Sequence, residues 1–249
     1  MKAIIIAAGI GSRLKKEAAN IPKGLLDING KTILQKQISL FKKHGLDEII
    51  LIIGPHREKY NFEGVRYVVD ENYQEHNVLC SLMAGRQYIV GDVLISYSDI
   101  LFDESILNQV LNSQVEIGLA VDLNWEQGYI GRTEHPKSEA DNVLIQNGKI
   151  TKAKKNIISK KNNEKMGEFI GLIKLSEQGS KILVNKFNKI EKSNVGVFHE
   201  APSLKKGYIT DMIQELIESN ILVTPILING KWCEIDTPQD LRRAKKLFK

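Results

Sequence analysis

The sequence predicts an α/β fold, a doubly wound and mostly parallel sheet, on three observations. The runs KAIIIAAG (2–9), EIILIIG (48–54) and DVLISYSD (92–99) have strand length and are apolar without alternation, as strands covered on both faces must be. Segments with apolar residues at helical spacing lie between such runs, so strand and helix alternate. No internal repeat, low-complexity tract or Pro/Gly linker divides the 249 residues, which read as one domain, 1–249.

Taken in order, 2–9 is a strand, and 32–44 (TILQKQISLFKKH) carries Ile33, Leu34, Ile38 and Phe41 on one helical face and closes at Gly45. Strands are expected at 48–54 and 65–70, a helix at 78–89, a strand ending on an aspartate at 92–99 and a helix at 103–112. EIGLAVD (116–122) continues the sheet. From 123 to 165 the rhythm is lost to a loop, a hairpin-like segment and a lysine-rich stretch. GEFIGLIKL (167–175) resumes a strand, 176–190 and 208–219 read as helices, and ILVTPILING and KWCEID close the sheet. The last helix starts at TPQD, with Thr237 as N-cap and Pro238 at the first helical position.

Composition excludes several classes. Hydrophobic residues are 42% and charged residues 26%, as in ordinary globular proteins, and the apolar runs are far too short to span a membrane. The N-terminal apolar run is too short for a signal sequence and meets Arg13, Lys15 and Lys16 at once, so a cytoplasmic protein is expected. Cys80 and Cys233 stand alone, with no disulfide or zinc pattern. The net charge of +5 comes from scattered lysines, which argues against nucleic acid as partner.

AAGIGSRL (7–14) follows a strand with two glycines one residue apart. Leu14 stands where a dinucleotide fingerprint needs its third glycine, and no Gly-Lys-Ser/Thr of a Walker A loop is present. Gly9 and Gly11 still allow backbone N–H groups to approach an anion, and Arg13 and Lys23 would add fixed positive charge for a triphosphate. A plain turn flanked by two surface cations is the alternative.

The stretch MKAIIIAAGIGSRL…PKGLLDINGKTIL resembles the opening of the nucleotidyltransferases that activate sugar phosphates, phosphocholine and related compounds. The resemblance implies a Rossmann-like fold in which Ala7, Ala8, Gly9, Gly11 and Ser12 wrap a nucleoside triphosphate. It implies Arg13 at the departing pyrophosphate and Lys23 at the α-phosphate. It also implies Asp99 and Asp236 as ligands of Mg²⁺, which such in-line transfer needs for the charge on its phosphates. By themselves Asp99 reads equally as a strand-end turn residue and Asp236 as a helix cap. In relatives that use CTP, the region holding Asn77 and Ser81 covers the base; the alternative is an N-cap and a buried serine.

NVLCSL, SDILFDESIL, YIGRTEHPKSEADNV and GEFIGLIKLS resemble, more narrowly, the cytidylyltransferases that activate phosphonates. The implied reaction moves CMP from CTP to a small phosphonate or phosphomonoester, 2-aminoethylphosphonate first, and releases pyrophosphate. In that reading 123–170 is an inserted acceptor-binding region. Arg132 holds the phosphonate, and Glu168, Glu139 and Asp141 face an acceptor ammonium, with an ordinary surface loop as the alternative for the last two. Trp125, Tyr129 and Trp232 could instead cage a quaternary ammonium, which points to phosphocholine. Sugar-1-phosphates, and a non-catalytic nucleotide sensor, are further alternatives; an oligomer is left open. Of the five histidines none sits in ligand spacing with another.

Overall fold

The structure, a computed structural model, describes residues 1–9, 21–54, 56–157, 159 and 163–249. Among these the chain runs through β1 (Lys2–Ala7), β2 (Asp27–Ile28), β3 (Lys31–Thr32), α1 (Ile33–Lys43), β4 (Ile49–Ile53) and β5 (Val65–Val69). Next come α2 (Val78–Ala84), β6 (Val93–Tyr97), β7 (Ile100–Phe102), α3 (Glu104–Asn112) and β8 (Ile117–Asp122). The last part holds β9 (Asp141–Gln146), β10 (Lys149–Lys155), β11 (Lys165–Leu175), α4 (Glu177–Ser193), α5 (Ile209–Glu218), β12 (Thr224–Leu227), β13 (Trp232–Glu234) and α6 (Pro238–Leu247).

One large sheet has the order β10-β9-β11-β6-β1-β4-β5, with β8 on β11 and β12 on β8. The strands β6, β1, β4 and β5 are mutually parallel, and so are β8 and β12. The long β11 runs antiparallel to β6, β8 and β9 and joins the parallel half to the hairpin β9–β10. The α/β architecture expected from the sequence is therefore present. The stretch in which the rhythm was lost adds antiparallel strands to the same sheet. Its lysine-rich part is β10, where Ile150 and Ala153 turn inward, Lys149 and Lys152 are exposed and Lys155 is half-buried.

Both faces of the sheet are covered, and the side chains of β1 show the division. Ile4 and Ile6 pack with Leu79, Leu82, Phe187, Met212 and Ile213 of α2, α4 and α5. Ala3, Ile5 and Ala7 pack with Leu34, Ile38, Phe41, Ile106 and Val110 of α1 and α3. Strand period two thus serves two apolar layers, which is why these strands show no polar alternation. A third cluster, Leu26, Ile28, Ile33, Leu101, Ile235, Leu241 and Ala244, fastens α6 beside the N-terminal segment.

Local signals set the helix ends. α1 opens with a capping box between Thr32 and Gln35, and the chain turns at Gly45 with φ +75°. The helix read at 78–89 stops instead at Ala84 and a short 3₁₀ turn follows. A Cβ on Gly85 would lie 2.8 Å from Ile52, so the helix end sits against β4 more closely than a larger residue permits.

Gly179 is tighter still. Ser176 caps α4 by accepting from its N–H, and a Cβ there would come 1.9 Å from the carbonyl oxygen of Glu116. Because backbone must move, Gly179→Ala is expected to cost about 3 kcal/mol or more, at the upper end of overpacking effects. Chemical denaturation of the two proteins checks this.

Candidate active site

The parallel strands β1 and β6 are neighbours, so the residues that follow them emerge side by side at one sheet edge: Ala8 and Gly9 after β1, Ser98 and Asp99 after β6. Asp236 arrives from the other end of the chain. β13 pairs antiparallel with β7, and the Ile235 N–H donates to the Asp99 carbonyl at 2.8 Å, which sets the two aspartates next to each other. Lys23 sits on a short 3₁₀ turn after Pro22. A Cβ on the following Gly24 would lie 2.7 Å from Leu34 of α1, so that turn is pressed onto the core.

The Lys23 ammonium donates to Asp99 Oδ2 at 2.9 Å and to Asp236 Oδ1. Burial opposes its charge, yet the two carboxylates prevail and hold its pKa well above the ordinary lysine value. Asp236 is not the cap of α6. Thr237 caps it, with Asp240 reaching back to the Thr237 and Asp236 N–H groups at 3.1 and 3.3 Å.

A cavity of about 370 Å³ opens over these groups, lined by Ala8, Gly9, Lys23, Asn77, Ser81, Asp99 and Asp236 together with His76, Lys155 and Tyr208. Asn77 occupies the N-cap position of α2 without capping it, its amide donating to the Lys206 carbonyl at 2.7 Å. Ser81, one turn on, is buried. Ala7 is buried at the end of β1. Gly11, Ser12 and Arg13 lie outside the described residues.

A second cavity of about 340 Å³ shares Glu234 with the first and gathers Trp125, Tyr129, Arg132, Glu168 and Trp232. The rings of Trp125 and Tyr129 meet edge to face at 5.5 Å, and the Trp232 indole donates to Asp122 at 2.8 Å. Glu168 is buried on β11; Oε1 accepts from the Tyr129 hydroxyl at 2.7 Å and Oε2 has no hydrogen-bond partner among the described residues. Burial raises its pKa to about 8 against the pull of Tyr129 and Arg132. Arg132 is committed locally: it donates to Asp240 at 2.8 Å and lies over the Tyr129 ring.

Between the two lies a small cavity of about 50 Å³ that touches Glu139, Asp141, Lys155 and Glu234. Asp141 is raised to about 6, first by burial. Lys155 pairs with Glu139 at 3.0 Å. Glu234 is raised well above the carboxylate range by burial and by the charges of Asp236 and Asp99. The sequence marks Glu234 only as a carboxylate near Asp236, behind the metal ligands at best, and gives Lys155 and His135 no role, since nothing in local spacing marks them.

Gly9 and Asp99, beyond the carboxyl ends of the parallel strands β1 and β6, thus line one cavity with Asp236 and Lys23. The MobA-like NTP transferase domain matches residues 3–130, which is half of the chain. The chain belongs to this family, and it is a nucleotidyltransferase. Over 257 aligned residues it is 26% identical to a CTP:phosphoglutamine cytidylyltransferase of Campylobacter jejuni, covering 97% of this chain and 98% of the relative. A CMP-5'-(3-aminopropyl)phosphonate synthase of Streptomyces rubellomurinus is 28% identical over 118 residues, 44% of this chain and 19% of that one. The solved CTP:phosphocholine cytidylyltransferase of Streptococcus pneumoniae superposes with a TM-score of 0.75 at 21% identity, over 100% of this chain and 99% of the other, and so shares the family fold. No described helix is long and apolar enough to cross a membrane.

Proposed function

We propose that this nucleotidyltransferase moves CMP from CTP to a small phosphonate or phosphate ester with a cationic head, 2-aminoethylphosphonate first, releasing pyrophosphate. The observation that carries the reading is the Lys23 ammonium between Asp99 and Asp236, in a cavity that shares Glu234 with a second of similar volume. One cavity would take the nucleotide and the other the acceptor head. Relatives named for CTP support the choice of base, and Asn77 and Ser81 line the nucleotide side.

Mg²⁺ fits the aspartates: their oxygens already converge on a cation, and hard carboxylate donors suit it. When bound there it would offset the charge of the phosphates during transfer. The chain's own groups do the rest. Lys23 neutralises the α-phosphate region, the Gly9 backbone approaches the triphosphate, and Arg13 is assigned to the pyrophosphate by resemblance. The acceptor oxygen is anionic near neutral pH, so orientation replaces a general base. Glu168, with one oxygen unpartnered among the described residues, would face the acceptor ammonium.

Phosphocholine is the second reading, favoured because Trp125, Tyr129 and Trp232 line one cavity with Glu168. The test is pyrophosphate release from CTP, UTP, ATP and GTP against 2-aminoethylphosphonate, phosphocholine, phosphoglutamine and glucose-1-phosphate. The expected result is turnover with CTP and 2-aminoethylphosphonate. Turnover with CTP and phosphocholine alone assigns the aromatic cavity to a quaternary ammonium, and silence with every nucleotide overturns the reading.

A further inference from the structure

The aromatic cavity of about 340 Å³ carries both signs of charge, which a head with an ammonium alone does not need. Its acidic side chains are Glu168, Glu234 and Asp240, and its basic ones are Arg132, Arg243 and Lys246. Arg132 is already offset: Nε donates to Asp240 Oδ1 at 2.8 Å, and Nη2 lies 3.9 Å from Glu234 Oε2. Arg243 and Lys246, one turn apart on α6, have no carboxylate partner among the described residues. Arg243 Nη2 donates to the Gly128 carbonyl at 2.6 Å, while Nη1 is buried with no hydrogen-bond partner among the described residues. Glu168 Oε2, on β11, is an acceptor in the same condition. Buried donors and acceptors of folded proteins are nearly all paired. One of each left idle on the walls of one cavity points to a ligand that brings both counterparts.

Building on the reading that this cavity takes the acceptor head, we propose that the head is an amino acid, its ammonium meeting Glu168 Oε2 and its carboxylate meeting Arg243 Nη1. Lys246, exposed at the rim, adds a second positive charge on the carboxylate side. Arg132 and Arg243 both stand near the Cys233 thiol of β13, where they pull its pKa down against burial, so the guanidinium groups gather at the β13–α6 side. A plain amine would fill the Glu168 side and leave Arg243 Nη1 unpaired, the more costly state for a buried charged donor.

The test compares acceptors that differ by one carboxylate, with the full chain, CTP and Mg²⁺, at a pH where every phosphonate and phosphate is dianionic. 2-Amino-3-phosphonopropanoate is 2-aminoethylphosphonate with a carboxylate on the carbon that bears nitrogen, and phosphoserine is phosphoethanolamine with the same addition. The wild type should favour the carboxylated member of a pair about tenfold or more in kcat/KM, the worth of one hydrogen bond between charged groups. Arg243→Gln should lower that ratio about tenfold. If that variant does not fold, Arg243→Lys, which keeps the charge and loses the planar fork, should lower it severalfold. A wild-type ratio near or below one in both pairs, or an unchanged ratio in a folded variant, overturns the amino-acid head and leaves the transfer reading standing. If no acceptor is turned over, the transfer reading falls, and calorimetric titration with 2-amino-3-phosphonopropanoate alone decides the cavity. Binding weakened about tenfold by Arg243→Gln upholds the assignment; no binding, or equal binding by both proteins, overturns it.

Discussion

Lys23→Ala is expected to lower turnover roughly a hundred- to a thousand-fold, the usual cost of removing one donor aimed at developing charge. The same variant should bind Mg²⁺ more tightly in the absence of nucleotide. The reason lies in the unliganded geometry, where the ammonium fills the gap between Asp99 and Asp236 and competes with any other cation for their oxygens. Removing it leaves two facing carboxylates beside Glu234, so the metal-free variant should also melt earlier. Added Mg²⁺ should restore most of that stability, because it binds the folded state. Steady-state kinetics, calorimetric Mg²⁺ titration and thermal melts with and without metal separate the effects. Near-normal turnover, or a weakened Mg²⁺ affinity, would remove Lys23 from the place given to it.

The opening of the chain announced this lysine because Pro22-Lys23 follows the glycine turn within one short stretch. Its partners were harder to pair. Asp99 and Asp236 are 76 and 213 positions from Lys23, and only the β7–β13 ladder brings them together. Each was visible as a strand-end aspartate, Asp99 after the buried apolar run of β6 and Asp236 before the Thr237-Pro238 helix start. β7, three residues long, gave no periodic signal, so the ladder that aligns the aspartates could not be anticipated. Trp125, Tyr129 and Trp232 were likewise visible as residues but not as neighbours. They meet because Trp232 belongs to β13 while the other two lie on the 3₁₀ turn after β8. His135 left no trace at all: its carboxylate neighbours come from the far end of the chain, and local spacing carries no such information.

Glu168→Gln is expected to abolish the preference for an ammonium-bearing acceptor and the pH dependence of that preference. The folded protein holds the Glu168 proton up to about pH 8, against an ordinary value of 4.5, because burial disfavours the charge. A neighbouring ammonium favours the carboxylate, so binding the acceptor expels the proton. Below pH 8 that expulsion costs about tenfold in affinity per pH unit at most; above pH 8 it costs nothing. The ratio of kcat/KM for 2-aminoethylphosphonate to that for ethylphosphonate, each expressed per dianionic phosphonate because the ammonium lowers the pKa of its own phosphonate, should therefore rise with pH and level off near 8. In the variant the ratio should be flat and lower. Stability runs the opposite way. A carboxyl whose folded pKa is raised favours the folded state most below 4.5, and that contribution is lost as pH climbs from 4.5 to about 8. Glu168→Gln, which carries no charge to bury, should consequently melt no earlier than the wild type at pH 9 and relatively earlier at pH 5. A wild-type ratio that does not change between pH 6 and 9 would detach Glu168 from the acceptor head and leave the aromatic rings to select it.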